Sequence, residues 1–378
     1  MNIKITAGPH SYVNCPLKVR IDVPDLGYGE ASLVDAAENR TVCQIFNECG
    51  ADHVAWVEPN MAPGETRTYR LETSPAGSVG GVEIEDIGEG RLEVRIGGEL
   101  FTRYHYGEQW ARPFLYPFIG PKDTPVTRAY PMRDDVEGED RDHPHHRSVW
   151  VAHGKINGTD NWSEMEGHAF IRHRKFEEVT GGSVFGRIRA VNNWVNSEGA
   201  KEMEEVREMT FFNLESERVV DMRIKFETTD GEVCIGDTKE GGVLSIRMAS
   251  SMNGNKGGLI TNVYGGITES ETWGKPAHWV DYSGPVGSGT MGIAVMDHPS
   301  SFRYPTRWHV RDYGLFTANP FALSDYEPER GVKGDYTMRN GERINFAYRI
   351  YVHEGGVDQA NVRDRYLGFV SPPKIEVI

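Results

Sequence analysis

Apolar and polar residues alternate strictly along VDMRIKFE, the last eight residues of VVDMRIKFE. Val220, Met222, Ile224 and Phe226 take every second position, and Asp221, Arg223, Lys225 and Glu227 take the rest. Successive side chains on a strand point to opposite faces, so this stretch fits a half-buried β-strand and not a helix. RINFAYRIYVHE repeats the pattern with Ile344, Phe346, Tyr348, Ile350 and Val352. RLEVRI (91–96), VFGRIRAVNNWV (184–195), EMTFFNL (208–214), GVLSIRM (242–248) and MGIAVM (291–296) read similarly, with turn residues between them. Strands with one wet face belong to antiparallel sheets. The expected fold is therefore all-β, a large antiparallel sandwich or barrel.

A chain of 378 residues can make two domains or one large β domain. TSPAGSVGG (73–81) is the boundary expected from its small and turn-forming residues. Residues 1–75 then form a small N-terminal β-sandwich-like region, and 82–378 the main β-sandwich. The helical signal is VDQANVRDRYLGF, with Asp358 as its cap and Gly368 as its stop before Pro372 and Pro373. A net charge of −15 with no basic stripe argues against nucleic acid and against an anionic membrane surface. Cys15, Cys43, Cys49 and Cys234 form no C-x-x-C pair and are read as reduced thiols. MNIKITAGPHSYVNC lacks the basic and apolar regions of a signal peptide, and no apolar run approaches ~18 residues. A cytoplasmic location is expected. The sequence leaves open whether the chain forms a homo-oligomer.

DRDHPHHRSVWVAHGKINGTDNW, residues 140–162, gathers four histidines beside two arginines, two asparagines and two tryptophans. On an extended chain His143, His145, Arg147 and His153 share one parity, and His146 shares the other with Ser148 and Trp150. Imidazoles two residues apart can converge on one metal ion, so His143, His145 and His153 are candidate ligands for a divalent metal. The H-x-H here is not followed by a glutamate at strand spacing, and there is no H-E-x-x-H. The other reading is metal-free acid/base chemistry, for which histidine titrates in the right range. The plain reading is a polar loop tied by hydrogen bonds.

GDTKEGG (236–242) places Asp237, Lys239 and Glu240 before a strand, as a general base with a cationic partner or as a charged hairpin turn. WVDYSG (279–284) and WHVRDYGLFTANPF (308–321) mix Trp, Tyr, Asp, His and Arg. Aromatic faces stack on sugar rings and the polar groups bond hydroxyls; core packing beside a loop is the alternative. MRDDVEGEDRD (132–142) reads as a solvated acidic loop and not a calcium loop. There is no G-x-G-x-x-G, no P-loop and no G-x-S-x-G elbow.

Taken in order, RYHYGEQWARPFLYPFIGP, VTRAYPM, DHPHHRSVWVAHGKINGTDNW, GDTKEGG, WVDYSGP and DHPSSFRYPTRWHVRDYGLFTANPF resemble the PmoA-like family over roughly residues 85–355. Its methane-oxygenase label does not suit a chain without a spanning segment. The resemblance implies a galactose-mutarotase-type supersandwich, encoded beside sugar oxidoreductases and sugar isomerase-like proteins, with a saccharide as partner. The family's HPHHR falls on 143–147, its AHG on 152–154, its DTKEG on 237–241 and its WHVRDYG on 308–314; Ser148 stands where many relatives carry Gly. The reading that follows is a carbohydrate-active enzyme needing no cofactor, acting by epimerisation, elimination or glycoside cleavage. His145 or His146 donates the proton, Glu240 is the base, and Lys239 or Arg147 holds developing negative charge. His153, Asn157, Trp162, Asp281, His309 and Arg311 bind substrate. A metal-dependent hydrolase or oxygenase, and a non-catalytic sugar-binding protein, are the alternatives.

Overall fold

A computed structural model describes residues 1–22, 27–77 and 80–378, so residues 78 and 79 of the expected boundary lie outside the described part. Among the described residues three large antiparallel sheets hold every strand except one short two-stranded pair. The alternating segments are strands where expected: RLEVRI is Arg91–Ile96, and VVDMRIKFE lies within Arg218–Glu227. RINFAYRIYVHE is Arg343–Glu354.

The front sheet runs Trp308–Arg311, Leu315–Ala318, Gly241–Arg247, Val149–His153, Phe114–Gly120, Glu99–His105, Arg91–Ile96, Val82–Asp86. The rear sheet runs Phe170–Thr180, Phe185–Val195, Lys201–Phe212, Arg218–Glu227, Arg343–Glu354, Gly289–Asp297, Trp279–Val286, Leu259–Asn262. Alternation fixes which faces meet. Val220, Met222, Ile224 and Phe226 of the rear sheet bury against Val149, Val151, Leu244, Ile246 and Phe316 of the front sheet in one core. The body is a large antiparallel β-sandwich, as expected.

The N-terminal sheet orders Cys15–Ile21, Ala51–Glu58, Arg40–Glu48, Gly29–Val34, Thr66–Glu72, Asn2–Thr6 and Lys374–Val377 around its own apolar cluster. Its last strand comes from the chain's far end: Ile3 pairs with Val377 and Ile5 with Ile375. The boundary at 73–81 expected from the sequence places this strand with residues 82–378, whereas it completes the N-terminal sheet. The N-terminal sheet packs on the outer face of the rear sheet, where Gln44 Oε1 accepts from the Val184 and Phe185 amides at 3.0 and 3.1 Å.

The expected helix is Val362–Val370, and its ends differ from the sequence reading. Asp358 is not its cap, because the helix starts after Asn361, which sits at φ 51°. Gly368 is inside it. A Cβ there would lie 3.2 Å from Cys15 Sγ, so the residue is small to let the helix approach a strand. The four cysteines are free, and no helix of the described residues is long and apolar enough to cross a membrane.

Candidate functional site

The outer face of the front sheet carries a register-matched row. His105 pairs with Phe114, Phe114 with Trp150, Trp150 with Ser245, Ser245 with Thr317, and Thr317 with His309. Directly opposed residues share a face, so this row lies opposite the core residues Val149, Val151, Ile246 and Phe316. Trp150 packs here with Phe114, Trp162, Leu315, Trp110 and Tyr313. Trp150 Nε1, Trp162 Nε1, Ser245 Oγ and Thr317 Oγ1 are buried without a hydrogen-bond partner in the protein. Such groups are rare, because leaving a buried donor or acceptor unpaired costs about 1–3 kcal/mol.

The HPHH segment is a turn, not a strand. His143 and Ser148 adopt φ 42° and 52°, and the strand begins at Val149. The left-handed conformation at Ser148 explains why glycine suits that position. Arg128, fully buried, shapes the turn by donating to Asp142 O (2.8 Å), Asp142 Oδ1 (2.6 Å), His143 O (2.8 Å) and His146 O (3.3 Å). The turn brings the rings into a stack: Tyr313 on His143 (5.1 Å, 8°), His143 on His146 (4.7 Å, 7°), His146 on Trp150 (5.3 Å, 23°). His145 meets His146 edge-on at 4.4 Å and Trp162 at 5.9 Å.

Asp142 ties these groups together. Its Oδ2 is 2.5 Å from His143 Nδ1, and its Oδ1 accepts from Arg128 at 2.6 Å and from Arg247 at 2.7 Å. Burial works against its charge, but the His143 hydrogen bond and the two guanidiniums hold it far below the usual carboxylate range. The Asp142 pairing fixes His143 with Nδ1 toward the carboxylate. Arg247 Nη1 donates to His146 Nδ1 at 3.1 Å, so the His146 proton sits on Nε2. Burial, with the neighbouring cationic groups, depresses both remaining imidazoles, His145 to about 4 and His146 well below its ordinary value. Both are neutral at pH 7 and are unsuited to the proton-donor role assigned from the sequence.

A second ion group flanks His145. Glu164 is shared by Arg147 and by Arg112, the latter at 2.9 Å. Arg147 also stacks over Trp110 at 5.3 Å. Burial drops the Arg112 pKa to about 10, the Glu164 charge opposing the shift.

Of the residues singled out in the sequence, His143, His145, His146, Arg147 and Trp162 converge here. His309 and Arg311 stand at the far end of the same face. His309 Nδ1 donates to Lys239 O at 2.5 Å while Nε2 accepts from Arg311 Nε at 3.2 Å. Glu240 is at the rim, its side chain 54% exposed and 3.6 Å from Lys239 Nζ. It reaches the cluster through the field it puts on Tyr313, whose hydroxyl burial pushes up to about 12, with Glu240 and Asp142 adding to the shift.

Three candidates are elsewhere. His153 lies on the core face of its strand, donates from Nε2 to Gly236 O at 2.8 Å and packs on Phe321. The turn at 143–148 breaks the parity that had grouped it with His143 and His145, so the three do not converge on one ion. Among the described residues no group of three metal-ligating side chains is assembled. Asp281 is on the outer face of the rear sheet, buried against His353 Nε2 at 2.7 Å. Asn157 is exposed and anchors its loop to Cys234 N (2.8 Å) and Glu202. Asp237 also braces loops, accepting from the Gly334 and Ser324 amides at 2.6 and 3.1 Å.

Sequence reasoning missed Asp142, Arg112, Arg128, Glu164, Arg247 and Tyr313. The adjacency of Asp142 to His143 and the tyrosine of WHVRDYG were the available signals. A cavity of about 710 Å³ lies between the N-terminal and rear sheets, beside Phe185, Arg223, His298 and Arg349. Its ion pairs, such as Arg349 with Asp221 at 2.6 Å, are remote from the histidine cluster.

The chain belongs to a family of unknown function (DUF6807), whose match spans residues 91–366 and so contains the whole cluster. No curated protein matches it. Among solved structures it is similar to a glycosyl hydrolase family 38 protein from Enterococcus faecalis, at 12% identity and a TM-score of 0.39, over 99% of this chain and 47% of that one. It is also similar to an alpha-galactosidase from Lactobacillus brevis, at 8% identity and a TM-score of 0.39, over 74% of this chain and 40% of that one. The chain thus spans less than half the length of either.

Proposed function

We propose that the protein is a carbohydrate-active enzyme that binds a saccharide on the outer face of the front sheet and moves a proton on it. The observation that carries this reading is the Asp142–His143 pair. A carboxylate 2.5 Å from Nδ1 orients the ring, and Nε2 has no protein partner among the described residues. This is the arrangement of an oriented general base. The role falls to His143 and not to Glu240, which is exposed at the rim. Tyr313, half-buried beside the buried Trp150 and Trp162, offers a ring at the surface of the cluster, and His143, its side chain 40% exposed, offers the hydrogen bond. A polyhydroxylated ring with apolar faces matches both. The resemblance to PmoA-like proteins supports the same ligand class. Epimerisation, elimination and glycoside cleavage all move a proton at or beside an anomeric or carbonyl carbon, and the pair serves each.

The test is turnover of a panel of monosaccharides, glycosides and 3-keto-glycosides by wild type, His143→Gln and His145→Gln. His143→Gln is expected to lose about 100-fold or more in kcat with ligand affinity kept within a few-fold. Near-normal turnover in that variant removes His143 from the mechanism. Saccharide binding without turnover of any member leaves a binding protein.

A further inference from the structure

The cavity of about 710 Å³ opens between the N-terminal sheet and the outer face of the rear sheet, across the sandwich from the histidine cluster. Small-molecule pockets have this size and favour the seam between two packed units. Alternation supplies its floor. Asp221, Arg223 and Lys225 are the polar positions between the core residues Val220, Met222, Ile224 and Phe226, so they stand on the cavity side. Register sets the floor in rows. Arg187, Thr210, Asp221 and Arg349 are directly opposed across four strands, and so are Arg189, Glu208, Arg223 and Ala347. His298 continues the second row, its amide donating to Ala347 O at 3.0 Å.

The carboxylates of the floor are engaged. Asp221 accepts from Arg349 Nε and Nη2 at 2.6 and 2.8 Å, and Glu208 from Arg189 Nη1 at 3.0 Å. Glu227 accepts from Lys225 at 2.8 Å, and Glu48 lies 3.0 Å from Arg187 and 2.5 Å from Lys18. Each of these cations thus has a carboxylate. Arg223 differs: it is exposed, lines the cavity, and makes no ion pair or hydrogen bond among the described residues. Its neighbour in the row, Ala347, carries only a methyl group, which leaves the floor low between Arg223 and His298. His298 supplies a second free donor. Its Nδ1 accepts from the Ser300 amide at 3.1 Å, so the ring proton sits on Nε2, which has no protein partner. Burial first, then the Arg223 charge, lowers its pKa, so the ring is neutral at pH 7 and within reach of that guanidinium. The walls are apolar. Phe369 meets His298 edge-on at 5.1 Å, and Phe46 meets Phe185 edge-on at 5.0 Å. Phe46 and Phe369 are half-buried and line the cavity.

We propose that this cavity binds an amphipathic organic anion, its oxyanion held over Ala347 by Arg223 and the His298 Nε2–H, and its apolar body lying against Phe369 and Phe46. A guanidinium and an imidazole N–H only donate, and the guanidinium fork matches two oxygens of a carboxylate or a phosphate. The assignment rests on these two free donors beside an apolar wall, not on any net charge of the cavity. The site is separate from the histidine cluster and stands whether or not that cluster takes a saccharide.

The test follows the imidazole resonances of isotope-labelled histidine in the full-length protein, with His298 and His143 assigned by single His→Gln variants. The probes are octanoate, phenylacetate and octyl phosphate against octanamide and phenylacetamide, with acetate as the headgroup without an apolar body. At least one of the three larger anions is expected to shift His298 and not His143, and to bind about tenfold or more tighter than the amides and than acetate. Arg223→Gln, at an exposed position, is expected to lose that advantage. Ala347→Leu, which raises the floor, is expected to abolish binding, with melting temperatures showing that both variants fold. Whether octanoate or octyl phosphate binds better identifies the headgroup. Amides that bind as tightly as the anions overturn the anionic assignment, and acetate that binds as tightly as octanoate overturns the apolar one. Failure of every probe to move His298, or full affinity in Arg223→Gln, overturns the site.

Discussion

Glu164 shows what one carboxylate does here. It lies between Arg112 and Arg147, and burial, which would raise its pKa, is outweighed by their charges. Glu164→Ala leaves both guanidiniums uncompensated in a buried setting, and removing one partner of a buried pair costs about 3–5 kcal/mol. Urea denaturation should show a loss of that order at unchanged m. A loss below about 1 kcal/mol, as at an exposed pair, contradicts the buried-triad geometry. The residues legible from the sequence were those inside one turn of chain: His143, His145, His146 and Arg147, with Trp162 close behind. Asp142 was read as part of a solvated acidic loop because its meaning depends on Arg247, 105 residues away. His153 was misplaced for a local reason. Its parity was counted through His143 and Ser148, whose left-handed backbone is not strand.

Elements were read more faithfully than residues, because alternation is a property of the strand itself. Arg218–Glu227 and Arg343–Glu354 pair along their length, Val220 to Ile350 and Ile224 to Phe346. Helix Val362–Val370 runs past Gly368, because that glycine serves a contact with Cys15 and does not stop the helix. That contact is testable. Gly368→Leu forces a side chain against Cys15, where even a Cβ would stand 3.2 Å from Sγ and where the glycine carbonyl is 3.5 Å from that sulfur. Overpacking of this kind costs about 1–3 kcal/mol despite the better helix propensity of leucine. Hydrogen exchange should show the helix amides losing protection first. Stability equal to or above wild type would mean that the helix–strand spacing is looser than described.

At the scale of the molecule, the pairing of Ile3 with Val377 links the two ends of the chain and could not be read locally. The distribution of buried histidines could not either, and it sets the response to acid. Burial holds His105, His145, His153 and His309 near about 4, and all four belong to the front sheet or its loops. An unfolded histidine titrates at about 6.5. Between those values the unfolded chain binds more protons than the folded one, so folding stability falls as pH drops from about 6.5 to about 4. Asp297 runs the other way: burial raises its carboxyl to about 7, so its contribution is full at low pH and is lost as pH rises through 7. Asp297, with Glu139 raised by burial in the same direction, opposes the four imidazoles, each worth on the order of 1–3 kcal/mol across its window. The melting temperature should therefore fall steeply between pH 6.5 and 4.5, and hydrogen exchange should open the front-sheet strands before the N-terminal sheet. His153→Gln, which keeps a donor for Gly236 O and cannot charge, should make that slope shallower. A melting temperature that is flat across this range, or a His153→Gln variant with an unchanged slope, would contradict the burial of these rings.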